Sequence, residues 1–153
     1  MIEIKTDIKI LSAAQELLAS KGFGAVSFDA VARELGITKQ AVIYWFPSKS
    51  DLLAAMFVDW LGLEAQEAEA NLQTVRAPNE AIDIFVRSII QFHKADLDRF
   101  RMMYLAPQTL KAGAKETQDS KVLENIHNTT SRLYGALAAK LDGTPVQTRQ
   151  AAF

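Results

Sequence analysis

A chain of 153 residues, 49% of them hydrophobic, has room for one compact domain or for a small head on a larger body. Seventeen Lys and Arg stand against 18 Asp and Glu, so no global charge draws the chain to nucleic acid, and zero cysteines exclude disulfides, thiolate zinc sites and cysteine nucleophiles. No apolar run reaches the roughly 18 residues of a membrane span, and "MIEIKTDIKIL" places charges where a secretory signal needs an apolar stretch, so a cytoplasmic protein with no membrane partner is expected.

The pattern predicts an all-α fold. Thr6 to Lys21 carries Ile10, Ala13, Ala14, Leu17 and Leu18 at helical spacing, and Gly22 stops this first helix in a left-handed turn. Ser27 caps a second helix, with Asp29 in its first turn and Phe28, Val31, Ala32 and Leu35 as its stripe, and Gly36 ends it. Thr38 caps a third helix of about two turns, which Pro47 closes because the residue before a proline avoids the helical region. Ser48 and Asp51 form a capping box for a longer helix over roughly 49–72. After the break at Pro78, an amphipathic helix runs over about 79–94, and a short one follows over 96–106, ended by Pro107. "QTLKAGAKETQDS" reads as a loop or frayed helix start, Val122 to Leu141 as a long helix, and "VQTRQAAF" as the opening turns of another.

Three short helices punctuated by glycine, glycine and proline within about fifty residues form a helix-turn-helix head. At its corner Leu35 closes one helix, Gly36 turns the chain, Ile37 plugs the junction and Thr38 caps the next helix. In such a unit the second helix of the pair enters the major groove of DNA. A wheel at about 100° per residue puts Lys39, Gln40, Ile43 and Tyr44 on one face and Ala41, Val42 and Trp45 on the other, with Phe46 near the edge. Taken alone, "AVIYWF" reads as core. With its flanks it divides, Val42 and Phe46 to the core and Ile43 and Tyr44 to the outer face.

On that outer face Lys39 suits a phosphate or guanine, Gln40 the paired donor and acceptor of adenine, and Ile43 a thymine methyl. Tyr44 can reach a phosphate through its hydroxyl. The exposed N–H groups at the helix starts by Ser27 and Ser48 suit phosphates, as does Lys49. Up to Leu53, Lys5, Lys9, Lys21, Arg33, Lys39 and Lys49 are matched by Glu3, Asp7, Glu16, Asp29, Glu34 and Asp51, so attraction to DNA must come from local placement.

Residues 9–57, with "ELLASKGF", "DAVARELGITK" and "YWFPSKSDLL", resemble the DNA-binding head of TetR-family transcriptional regulators. The resemblance implies a DNA-binding domain at 1–50 and a helical effector-binding and dimerisation domain at 51–153. It implies a dimeric repressor that binds a palindromic operator and is released by a small apolar or amphipathic effector. Carried over by position, phosphate contacts fall on Ser27, Thr38, Trp45 and Lys49, and base or groove contacts on Lys39, Gln40, Ile43 and Tyr44. Ile43 and Trp45 depart from the tyrosine and histidine common in the family, which removes polar contacts to the DNA backbone.

The resemblance also implies an effector pocket in the body, with candidate lining residues Trp60, Phe85, Ile89, Phe92, His93, Met102, Met103, Tyr104, Ile126, His127 and Tyr134. Methionines accept varied ligand shapes, and a Tyr or His fixes a polar end. His93 and His127 lie on different helices without metal-ligand spacing, so no metal or other cofactor is expected; Glu124, three residues before His127, is a potential partner for it. No nucleophile elbow, phosphate-cradling glycine loop or acid pair appears, so no enzyme activity is expected. The family closes its dimer with two further long helices, and this chain stops near the start of the first. It is therefore expected to be a fragment, or to self-associate through Val122–Leu141 and the residues after it. The competing reading is a helical ligand-binding or protein-interaction module that no longer reads DNA.

Overall fold

The computed structural model describes residues 5–105 and 116–141, with side chains described over 5–104 and 121–141. Among these residues all regular structure is helical, in seven α-helices: α1 Thr6–Lys21, α2 Phe28–Leu35, α3 Lys39–Trp45, α4 Lys49–Gln73, α5 Pro78–Lys94, α6 Leu97–Phe100 and α7 Glu116–Lys140. Contacts divide the described residues into two compact units. One takes those of Met1–Phe57 and Asp96–Gln118, the other those of Val58–Ala95 and Asp119–Phe153. The unbroken α4 supplies residues to both.

In the first unit α1 packs on α2, α2 on α3, and α6 on α1. The α1 stripe of Ile10, Ala13, Ala14, Leu17 and Leu18 is buried, as are Val26, Val31, Val42, Leu52 and Met56. Complete burial of each larger apolar side chain in this set contributes about 1.5–3 kcal/mol. The helix ends are satisfied by the expected side chains. Ser27 Oγ accepts from the Ala30 N–H at 3.2 Å, and Thr38 Oγ1 from the Ala41 N–H at 3.1 Å. At the head of α4 the capping box is reciprocal: Ser48 N–H donates to Asp51 Oδ2 at 2.9 Å, and Asp51 N–H donates to Ser48 Oγ at 3.1 Å.

Gly36 adopts the left-handed conformation at φ 65° and ψ 29°, and Ile37 N–H reaches back to Ala32 O at 3.0 Å. This closes α2 with a bond that only a positive-φ residue allows at low cost. Gly22 differs from expectation. Its φ of 80° is positive but its ψ is 175°, so the chain leaves α1 extended rather than in a left-handed turn, and continues into a 3₁₀ turn at Phe23–Ala25. That region too is open to glycine and costly to other residues.

In the second unit Ala65, Ala68 and Leu133 pack with Phe85 and Ile89, while Leu72, Val75 and Ala81 pack with Ile84, Phe85, Ala136, Leu137 and Leu141. Alanine at 65, 68 and 81 removes the side-chain bulk that would hold α4, α5 and α7 apart. Asn71 Nδ2 donates to Ser88 Oγ at 2.9 Å, and Ser88 Oγ donates to Ile84 O at 2.7 Å, so the polar groups between α4 and α5 are bonded.

Two element boundaries shift from those predicted. The short helix predicted over 96–106 is α-helical only at Leu97–Phe100, capped by Asp96 Oδ1, and Arg101–Leu105 form a π-helical turn. Pattern reading by a period of 3.6 cannot register a turn closed by i→i+5 bonds. The last long helix begins earlier than Val122, at Glu116, so the 116–120 part of the polar segment is the helix start rather than loop. The helix predicted in "VQTRQAAF" lies outside the described residues.

Candidate nucleic-acid interface

The third helix is seven residues long, and its orientation is fixed by one anchor. Val42 is fully buried, whereas Thr38, Lys39, Gln40 and Tyr44 are exposed, Tyr44 at 78%. The outer face predicted from the wheel is thus open at three of its four positions. Ile43 is half-buried, because the helix is too short and too close to α2 to free a full face.

Trp45 departs from the wheel, which places it on the packing side. It is 43% exposed, and its ring stands edge-on to Tyr44 with centroids 5.4 Å apart and planes at 90°. Trp45 is the last helical residue, and Phe46 after it is extended at φ −130° and ψ 91°, so no further turn of α3 covers the ring. Phe46, assigned to the core, is half-buried.

The two lysines of the interface both have partners within the head. Lys39 Nζ lies 2.8 Å from Asp29 Oδ2, an ion pair joining the first turns of α3 and α2. Lys49 Nζ stands 5.1 Å from the centroid of the exposed Phe23 ring, a cation–π contact. Ser27 is half-buried with its hydroxyl engaged in capping α2.

The eleven candidate pocket residues are divided between the units. Met102, Met103 and Tyr104 belong to the first, the two methionines buried and Tyr104 exposed. Trp60, Phe85, Ile89, Phe92, His93, Ile126, His127 and Tyr134 belong to the second. There Phe85 and Tyr134 form a ring pair at 5.9 Å, and Phe85 and Ile89 pack on the Ala65–Ala68–Leu133 cluster, as core residues do. A groove of about 540 Å³ in the second unit is lined by other residues, among them Asn71, Ser88, Arg87 and Lys94. Arg87 there donates to Asp83 at 2.7 Å, and that bond and charge raise its pKa further above the ordinary arginine value.

The histidine–carboxylate pair forms at a different place from the one expected. Glu124 and His127 both lie exposed, while His93, 5% exposed, faces Glu64, 1% exposed, with Nε2···Oε1 at 3.1 Å. This pair ties α4 to α5 inside the second unit. Among the described residues no group of three or more His, Cys, Asp or Glu is placed to hold a metal ion, and no helix is long and apolar enough to cross a membrane.

Residues 10–56 match the family model described as bacterial regulatory proteins, tetR family. Over these residues the chain is similar to that family. The HTH-type transcriptional regulator UidR of Escherichia coli is 29% identical over 128 residues, covering 81% of this chain and 60% of UidR, and UidR of Shigella flexneri matches equally. The chain thus spans about three-fifths of the length of the curated relatives it matches. In fold it is similar to a TetR/AcrR-family regulator from Thermobifida fusca, with a TM-score of 0.60 at 23% identity over 95% of this chain and 77% of the other. It is also similar to the TetR-family regulator PfmR from Thermus thermophilus, with a TM-score of 0.59 at 20% identity over 93% and 78%.

Within this head, sequence reading located the exposed helix but missed what its lysines touch. Asp29 was visible only as a first-turn acid, and Phe23 carried no signal of its own. Their pairing with Lys39 and Lys49 depends on how α2, α3 and the 3₁₀ turn meet. The buried Glu64 had a sequence signal: it falls four residues after Trp60 and four before Ala68, on the apolar stripe of α4.

Proposed function

We propose that the chain is a transcriptional regulator that binds duplex DNA through α3, as a cytoplasmic homodimer on a palindromic operator. The observation that carries the reading is the division of α3: Val42 is buried while Gln40 and Tyr44 stand open beside Lys39. A short, capped, one-anchor helix after a tight glycine turn is the shape that enters a major groove. Gln40 reads adenine, Lys39 a guanine or phosphate, and Ile43 a thymine methyl, while Thr38, Tyr44, Trp45, Ser27 and Lys49 set the register on the backbone.

The 1–50 segment is the reading head, and 51–153 carries effector binding and dimerisation. A small apolar or amphipathic effector bound in the body releases the operator, making the regulator a repressor. Half-sites lie about 10 base pairs apart or at a multiple of that spacing. The chain carries no catalytic role in this reading.

The test is selection of duplexes from a random pool, followed by binding of Lys39→Ala/Gln40→Ala/Tyr44→Ala. The triple variant should keep its helical circular dichroism and lose sequence-specific binding. Unchanged affinity for the selected duplex refutes the assignment. One observation favours a second reading, a ligand-binding or protein-interaction module without DNA recognition: both interface lysines are occupied within the head. Absence of duplex binding at low salt supports that module.

A further inference from the structure

The head is neutral, and its most groove-ward cation is paired. Lys39 opens α3 and extends from the face that holds Gln40 and Tyr44, yet its ammonium lies 2.8 Å from Asp29 Oδ2. Both side chains are more than half exposed, 53% and 62%. An ion pair this open to water adds little to the stability of a fold. Its position gives it a different consequence. Asp29 sits in the first turn of α2, beside the start of the helix that would meet DNA, and places a negative charge where phosphates would approach.

We infer that Asp29 is a specificity-determining residue of the DNA interface, a positioning residue that acts through Lys39; the inference rests on the DNA-binding reading above. On arbitrary duplex the strongest attraction available to Lys39 is the nearest phosphate. Asp29 opposes it in two ways. It holds the ammonium by a charge-assisted hydrogen bond, and its own charge repels the same phosphate. A guanine edge offers two acceptors with defined geometry, which compensates for loss or sharing of the carboxylate. A phosphate met in passing compensates less. Asp29 therefore weakens binding to all DNA, and weakens binding to the wrong DNA most.

The same logic accounts for the second lysine. Lys49 is held over Phe23, so neither interface lysine is an unengaged charge. A neutral ring does not repel phosphate, so the electrostatic filter lies at Asp29 rather than at Phe23. The six-against-six balance of the head is thus arranged locally, with one acid set against the cation nearest the groove.

The experiment measures binding of the full chain to a fluorescent random-sequence duplex and to a selected duplex, over salt from about 50 to 200 mM. Asp29→Asn should bind the random duplex about three- to tenfold more tightly, with the slope of log K on log salt steeper by about 0.9, one added phosphate contact. The ratio of selected to random affinity should fall, and Asp29→Glu should restore the parent ratio. In Asp29→Asn/Lys39→Ala the added slope should vanish. The inference is overturned if Asp29→Asn leaves the ratio and the slope unchanged while the parent chain binds, or if Asp29→Asn tightens random binding as much in a Lys39→Ala background as in the parent. Failure of both the parent and Asp29→Asn to bind any duplex at about 50 mM salt overturns the DNA-binding reading, and this inference with it.

Discussion

The buried pair between His93 and Glu64 sets a measurable demand on the second unit. Both residues are at least 95% buried, and their side chains meet at 3.1 Å across α4 and α5. Replacing His93 with leucine keeps the volume similar but takes a bonding partner from the Glu64 carboxyl, which is 1% exposed. A buried neutral group deprived of its hydrogen bond costs about 1–3 kcal/mol, and a buried charge deprived of its partner about 3–5 kcal/mol. His93→Leu and Glu64→Leu are therefore each expected to lose about 1–5 kcal/mol. At about 2–4 °C per kcal/mol for a chain of this size, the midpoint falls by about 2–20 °C. The double variant Glu64→Leu/His93→Leu removes both members of the pair and should cost clearly less than the two single costs added together, because neither group is left facing the site of a missing partner. Urea unfolding followed by Trp60 fluorescence reports this locally, since Trp60 is buried one helical turn before Glu64. Trp45 is the other of the two tryptophans, so a Trp45→Phe background leaves Trp60 as the reporter. Additive single costs would refute the coupling.

Four further outcomes follow from the same structure. Asp51→Ala removes the acceptor for the Ser48 N–H and should cost about 0.5–2 kcal/mol in urea unfolding, while Asp51→Asn retains part of it. Gly36→Ala forces a side chain into φ 65° and should destabilise the head by about 1 kcal/mol or more, although a Cβ there would meet nothing within 4 Å. Tyr44→Ala, at a residue 78% exposed, should change stability by less than about 0.5 kcal/mol yet weaken binding to the selected duplex; equal affinity would remove Tyr44 from the interface. Gly62→Ala, inside α4 with open space at its Cβ, should raise the unfolding free energy by about 0.5–1 kcal/mol, and a loss would show that the helix needs its glycine.

Local chemistry was read from the sequence more fully than assembly. Caps at Ser27 and Thr38, the Ser48–Asp51 box, the turn at Gly36 and the stripe of α1 each depend on residues within four positions of one another, so spacing alone identifies them. The ends of α1 and α2 followed, because Gly22 and Gly36 terminate helices by backbone freedom. The π-helical turn at Arg101–Leu105 went unread, since its hydrogen bonds have no residue signature in a pattern of period 3.6. At the interface, the exposure of Gln40 and Tyr44 was legible from a wheel anchored on Val42. The exposure of Trp45 was not, because it depends on where the helix stops. The pairs Lys39–Asp29, Lys49–Phe23 and His93–Glu64 join residues 10, 26 and 29 positions apart, and tertiary packing selects them from many possible partners.

Helix α4 carries a consequence for anyone recombining heads and bodies from such chains. Its 25 residues, about 37 Å of unbroken rod, contain the division between Phe57 and Val58 with no linker to cut. Leu52, Leu53 and Met56 are buried before that division, and Trp60, Leu61, Glu64, Ala65, Ala68 and Leu72 after it. A junction that adds or drops one residue turns everything after it by about 100° about the helix axis relative to what precedes it. Only hybrids spliced in phase keep the parent spacing of buried positions along α4, so the grammar of exchange in this chain is the helical repeat itself.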